Sequence, residues 1–336
     1  MARRGGWTRA GSRGRFRYLD SRGERITDEG KLERIEALVI PPAWKDVWIS
    51  PNPRAKLQAT GVDSAGRRQY LYHPEYRARQ EQAKFDKLTL FAERLPDFRA
   101  VMAGHMELDP LHPDRVRAVA VRLINLAWFR VGTDRYAKRS RTFGVTTLGK
   151  RHVAVRGNRV AFRFRAKNRT MVRTTLVDSE LADALKELLA EAGARLFRYE
   201  RDGELFNLTG QQLNDYVQEH MGEEFTAKDF RTWGGTLTAA IALAEHGVVE
   251  TETEARRVVA AVMRVVGERL GNTPTVARES YVSPAIVEQY LDGRTIDDFR
   301  PRHLRVVRAR DTGLDPEEQA LLSLLRSWRI RRALAA

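Results

Sequence analysis

Residues 152–176 read HVAVRGNRVAFRFRAKNRTMVRTTL. Through HVAVRG, RVAFRFRAK and TMVRTTL, apolar side chains recur at every second position, the spacing of strands with one face on a core. A three-stranded antiparallel meander is predicted here, with Lys167 in the Ala-Lys-Asn-Arg turn between two strands. After about residue 96 the rest of the chain has mainly helical spacing. The meander therefore marks the larger, C-terminal part as a helical domain carrying one small sheet.

Working outward, residues 16 to about 73 are strand-rich. FRYLD, DVWISP, KLQAT and RRQYLYH are short β-branched or aromatic runs separated by Gly, Pro, Asn and Ser. One helix is predicted at Asp28–Val39, after Thr27 and stopped by Pro41-Pro42. From His73, PEYRARQEQAKFDKLTLFAERL is a long polar helix suited to joining two domains, and Pro96 is predicted to end it. The expected class is α+β. It combines a basic flexible arm over residues 1–15, a β-rich N-terminal domain with its linker helix over 16–90, and a mainly helical domain over 91–336.

The 336 residues hold 59 Lys and Arg against 44 Asp and Glu, a net charge of +15. That excess suits a polyanionic partner, nucleic acid first. The first fifteen residues, MARRGGWTRAGSRGR, carry five arginines and no acid. Without cysteine, the chain has no disulfide, thiolate nucleophile or Cys-ligated zinc. Apolar runs such as Val258–Met263 are too short to span a bilayer, so a cytoplasmic, nucleoid-associated protein with no membrane partner is expected. Gly144–Lys150, GVTTLGK, imitates a phosphate-binding loop. Arg151 then stands where a hydroxyl is needed, and a strand-like run comes next where a helix is needed.

Several charged residues stand at informative positions. Val116, Ala120, Leu123 and Ala127 form the stripe of a core-facing helix, and Arg130 falls about 40° from it at the usual helical rotation. A guanidinium beside an apolar face needs an anion. A structural ion pair would provide one. Lys228 and Arg231, in AKDFRTWGGT, share a helix face at i, i+3, and Asp229 or Glu223 could pair with them. Lys167 at a hairpin tip reads as an ordinary surface lysine, or as a mobile proton donor. Asn272 could cap a helix. Tyr281, in GNTPTVARESYV (residues 271–282), is either a packing residue or a nucleophile that needs cations around it, because its pKa is near 10 in water.

In chain order these residues are Arg130, Lys167, Lys228-x-x-Arg231, Asn272 and Tyr281. The order resembles the active site of the type IB DNA topoisomerases, closest to the poxvirus-like bacterial subfamily. FRVGTDRYAKRSRTFGVTTL, KDFRTWG and GNTPTVARESY resemble the blocks around that family's two arginines and its tyrosine. IPPAWKDVWISP and QATGVDSAGRRQYLYH resemble its amino-terminal DNA-gripping domain. The resemblance covers roughly residues 30–295.

It implies relaxation of supercoiled duplex DNA without ATP, cofactor or required metal, by a monomer that clamps the duplex. Tyr281 would form a 3′-phosphotyrosine, Arg130 and Arg231 would clamp the phosphate, and Lys167 would protonate the leaving 5′-oxygen, assisted by Lys228. Asn272 stands where poxvirus and nuclear members have histidine, and an amide cannot titrate near neutrality. The strand Arg67–His73 would face the major groove. It presents Arg68, Tyr70 and Tyr72 on one side and Arg67, Gln69 and Leu71 on the other, with Tyr136 as a phosphate contact. The same residues leave two rivals. A tyrosine site-specific recombinase shares the catalytic fold and most of the residue order, but usually has His-x-x-Arg at the second arginine. A non-catalytic DNA-compacting protein would have no use for Tyr281.

Overall fold

The computed structural model describes residues 5–12, 14–300 and 313–335. The chain forms two compact units that divide between Phe85 and Asp86.

The first unit is a five-stranded antiparallel sheet in the order β2-β1-β3-β4-β5. Its strands are β1 (Trp7–Ala10), β2 (Arg17–Leu19), β3 (Lys45–Ile49), β4 (Leu57–Val62) and β5 (Arg68–Tyr72). Helix α1 (Glu29–Ala37) starts at Asp28, whose carboxylate accepts from the Lys31 N–H at 2.8 Å. Trp7, Ile26, Ile35, Val47, Ile49 and Ala59 form the core.

The flexible arm expected over residues 1–15 is corrected by β1, which pairs with both β2 and β3. Burial of the Trp7 indole outweighs the polarity of its neighbours. Arg9 is held inward by the carbonyls of Pro41 at 3.1 Å and Trp44 at 2.7 Å. Residues 1–4 and 13 of the expected arm lie outside the described residues.

Helix α2 (Pro74–Met106) begins in the first unit and runs on into the second. Pro96 does not end it. An interior proline costs about 3 kcal/mol or more. Leu88, Phe91, Ala92 and Leu95 are buried before it, and Phe98 and Met102 continue the same stripe beyond it. At about 1.5–3 kcal/mol per large buried side chain, that packing outweighs one missing N–H.

Around this stripe the second unit assembles α3 (Pro113–Ala127), α4 (Asp134–Ser140), α5 (Ser179–Ala190), α6 (Gly210–Met221), α7 (Ala227–His246), α8 (Glu252–Leu270), α9 (Pro274–Ser280), α10 (Pro284–Leu291) and α11 (Pro316–Ala335). The meander comprises β6 (Val153–Arg156), β7 (Arg159–Arg165) and β8 (Met171–Val177), antiparallel in that order. On β7, Val160, Phe162 and Phe164 face inward, and Arg159, Ala161, Arg163 and Arg165 face out. A second hairpin, β9 (Arg198–Arg201) and β10 (Glu204–Asn207), turns at Asp202-Gly203 and adds to the expected strands. The GVTTLGK stretch forms two short 3-10 turns that lead into β6, and the Lys150 ammonium donates to the Glu191 carbonyl. It has no helix N-terminus to cradle a phosphate.

Candidate active site

Helix α3 stops at Ala127 because Trp128 takes the left-handed conformation (φ 52°, ψ 32°). Arg130 therefore lies beyond the helix, in a stretch without regular secondary structure, and not beside its apolar stripe as the periodicity implied. The segment is anchored where the Val145 N–H donates to the Arg130 carbonyl at 2.8 Å. Trp128 has room for its indole because α7 carries glycine opposite. A Cβ on Gly234 would stand 2.2 Å from the indole.

The next residue serves the tyrosine in the same way. A Cβ on Gly235 would meet the Tyr281 carbonyl at 2.7 Å. Two glycines inside a helix cost about 1 kcal/mol each relative to alanine, and close approach is what that cost permits. Thr236 completes the seat. Its hydroxyl donates to the Tyr281 carbonyl at 3.2 Å and accepts from the Ser283 N–H at 3.1 Å.

Arg231 projects from the first turns of α7 and is only 4% exposed. Its Nη2 donates to the Leu270 carbonyl at 2.8 Å and its Nη1 to the Trp128 carbonyl, while its buried Nε–H meets no acceptor at hydrogen-bond distance among the described residues. The guanidinium carbon lies 5.0 Å from the centre of the Tyr281 ring. Arg130 reaches the same place from the other side. Its Nη2 donates to the Gly271 carbonyl at 3.1 Å and to the Asn272 Oδ1 at 2.5 Å. Arginine has no acceptor, so this contact fixes the asparagine with its oxygen on Arg130. The Asn272 amide nitrogen points towards the Leu270 carbonyl at 3.4 Å. Gly271 ends α8 in the left-handed region (φ 62°), which allows the Asn272 N–H to return to the Gly267 carbonyl at 2.7 Å.

Both arginines are thus solvated by carbonyl oxygens. Among the described residues no carboxylate pairs with either, and the structural ion pair weighed for Arg130 is not found. Of the two acids weighed for α7, Asp229 pairs with Lys87 at 2.7 Å and accepts from the Thr226 N–H at 2.9 Å, and among the described residues Glu223 is paired with neither Lys228 nor Arg231. Burial and the facing charge of Arg231 push the Arg130 pKa down to about 10, still protonated at neutrality. Burial also lowers that of Arg231. Burial acts on the Tyr281 phenol in the opposite direction to the cations. Arg231, Arg130 and the exposed Lys228 together overcome it and bring the phenol below the usual tyrosine value. Five of the residues picked from sequence are therefore brought together.

Lys167 is not part of this hydrogen-bonded group. It stands exposed at the β7–β8 tip, where Asn168 and Arg169 adopt positive φ (61° and 60°), and among the described residues nothing engages its ammonium. The tip's base is tied to the stretch that also anchors Arg130, since the Phe143 N–H donates to the Arg165 carbonyl at 2.7 Å two residues before the Val145 N–H that bonds the Arg130 carbonyl.

Of the residues picked for DNA contact, Tyr136 is exposed on α4 among Arg135, Lys138 and Arg139. On β5, Arg68, Tyr70 and Tyr72 face solvent, and Tyr70 stacks on Tyr72 at 6.3 Å between ring centres. Gln69 and Arg67 are engaged nearer home. The Gln69 amide donates to Asp63 at 2.8 Å, and Arg67 pairs with the same carboxylate at 2.7 Å. Sequence reading missed Trp128, Gly235, Thr236 and the Leu270 carbonyl. The available signal was the adjacent Gly234-Gly235 in an otherwise good helix.

Comparison with known proteins supports the same conclusion. Residues 73–296 match the family described as eukaryotic DNA topoisomerase I, catalytic core, and residues 15–63 match bacterial DNA topoisomerase IB, N-terminal domain. The chain is 31% identical over 283 residues to DNA topoisomerase 1B of Acanthamoeba polyphaga mimivirus, covering 82% of this chain and 84% of that one. It is 21% identical over 280 residues to DNA topoisomerase 1B of vaccinia virus (strain Copenhagen), covering 80% and 85%. A match over two thirds of the chain, which includes Arg130, Arg231 and Tyr281, decides against the recombinase and the DNA-compacting protein. The chain belongs to the type IB DNA topoisomerases, which relax DNA through tyrosine-linked cleavage and religation.

Proposed function

We propose that Tyr281 is the nucleophile and that Arg130 and Arg231 bind the non-bridging oxygens of the scissile phosphate. The observation that carries this reading is the convergence of Arg231, Arg130 and Lys228 on one phenol whose pKa they lower against burial. Tyr281 Oη gives up its proton to water and attacks phosphorus, the 5′-oxygen leaves and takes a proton from Lys167, and the 3′ end stays esterified to the tyrosine. The reverse step reseals the strand. Because the ester conserves the energy of the broken phosphodiester, resealing requires no ATP. Guanidiniums in fixed positions suit the charge that builds on phosphate, and the unpartnered Arg231 Nε–H would gain an acceptor. Lys228 lies on the exposed start of α7, where it can hold a phosphate or assist Lys167.

The enzyme acts on duplex DNA as a monomer, with Arg68, Tyr70, Tyr72 and Tyr136 as contacts. Gln69 and Arg67 reach bases only by leaving Asp63. The test is a denaturant-stable adduct formed on nicked duplex in the presence of a chelator. The modified residue should map to Tyr281; modification elsewhere removes the assignment.

Asn272 serves, on this reading, to aim Arg130 and to offer its own N–H to a phosphate oxygen. A hydrogen bond to a charged group is worth about 1.5–3 kcal/mol, so Asn272→Ala should slow cleavage about 10- to 100-fold. The slowing should be the same from pH 6 to 8, roughly the range in which a histidine would titrate. Cleavage at the wild-type rate would exclude this role.

A further inference from the structure

Helix α11 lies beyond the residues that match the topoisomerase catalytic core, which end at 296. It is not a loose tail. Leu321, Leu324 and Leu325 are buried, and Ala320 with them. Its first turn places one carboxylate, Glu318, in the interior at 4% exposure. That carboxylate accepts four hydrogen bonds. Two come from Arg99 on α2, at 2.7 and 2.8 Å, one from the Trp233 Nε1–H at 3.0 Å, and one from the Asp315 N–H at 3.2 Å. The Asp315 side chain accepts the Glu318 N–H in return at 2.7 Å. Burial alone would favour the protonated acid, but the Arg99 contacts hold Glu318 below the usual glutamate range, so it is ionised at neutrality.

Trp233 is two residues beyond Arg231 on α7, and is itself only 2% exposed. Residues two apart on a helix project roughly 200° from one another. Arg231 and Trp233 therefore leave α7 on nearly opposite sides, one towards Tyr281 and the other towards α11. Holding the indole fixes the rotation of α7 about its own axis. A turn of about 10° would carry a guanidinium roughly 6 Å off the axis through about 1 Å. The same helix also restrains the segment after the tyrosine. Trp328 Nε1 donates to Glu288 of α10 at 2.7 Å.

We propose that α11 braces the active site, with Glu318 and Trp233 acting as positioning residues that aim Arg231 at the scissile phosphate. This rests on the role given to Arg231 above. A buried ion at the start of a helix outside the catalytic core is then explained by the placement of α7, and the terminal helix becomes part of the working enzyme.

The experiment is a double-mutant cycle on the full chain, reading single-turnover adduct formation, duplex affinity and thermal midpoint. Trp233→Phe removes the indole N–H and leaves an aromatic ring. It should slow adduct formation about tenfold, the scale expected of a displacement well under 1 Å, with duplex affinity unchanged within about twofold. In an Arg231→Lys background the same change should cost less than about twofold, because the group it positions is already gone. Glu318→Gln, which leaves the tryptophan itself unaltered but replaces its charged acceptor with a neutral amide, should repeat the pattern and covers the case in which Trp233→Phe fails to fold. Equal slowing in both backgrounds, or none in the first, overturns the proposal. An Arg231→Lys enzyme as fast as wild type would instead remove the role of Arg231, and the brace with it.

Discussion

Tyr281→Phe is expected to abolish relaxation and adduct formation while leaving duplex affinity within about twofold. The fall should reach background, at least about 10⁶-fold, the lower end of enzymatic acceleration. The substitution removes one oxygen. The ring can still lie against the Arg231 guanidinium, and the backbone of residue 281 is still held by the Thr236 hydroxyl and the Gly235 contact. Nothing in the fold should therefore change, and gel-shift titration with a plasmid assay separates binding from chemistry. A phenylalanine enzyme that relaxed DNA at a measurable rate would place the nucleophile elsewhere.

Arg231→Ala should be nearly as damaging. A guanidinium that stabilises charge on a transferring phosphoryl group is worth roughly 10³–10⁵ in rate. Its loss acts twice here. The phosphate loses a fixed donor pair, and the phenol loses the largest of the cation effects that offset its burial. With burial no longer compensated, the phenol's pKa rises, so the ascending limb of cleavage rate against pH should move to higher pH. Arg231→Lys, which restores a charge without the fork, should fall between alanine and wild type. Single-turnover cleavage across pH 6 to 10 checks both points. A rate within about tenfold of wild type for the alanine variant, with no shift in the profile, contradicts the assignment.

The meander is legible from its alternation, and four of the five strands of the N-terminal sheet from short β-branched or aromatic runs set between turn residues. Trp7–Ala10 escapes because the arginines in and around it read as a solvated tail, whereas a single indole gives the strand its place in the core. Pro96 misleads because the local rule for proline ignores the weight of Phe98 and Met102 beyond it. The hairpin at Asp202-Gly203 was legible in principle, since its turn pair is a strong signal.

For the site, residue order singles out Arg130, Arg231, Asn272 and Tyr281 but does not say what each one touches. Periodicity even sets Arg130 on the wrong kind of backbone, because the reversal at Trp128 depends on a glycine over a hundred residues away. The carbonyls of Trp128, Leu270 and Gly271 leave no trace in side-chain identity at all.

Those carbonyls bear on the fate of the DNA once a strand is broken. A guanidinium paired with a carboxylate would have to surrender that partner whenever DNA arrived and recapture it on departure, with a barrier each way. Neutral dipoles impose no such exchange. On the proposed assignment, the arginines face a singly charged phosphodiester before attack and a singly charged phosphotyrosine afterwards. The surroundings of the cations are then nearly the same on both sides of the reaction. Neither the intact nor the broken strand is favoured by the protein's field, and an enzyme that opens a chromosome's backbone has no electrostatic reason to leave it open.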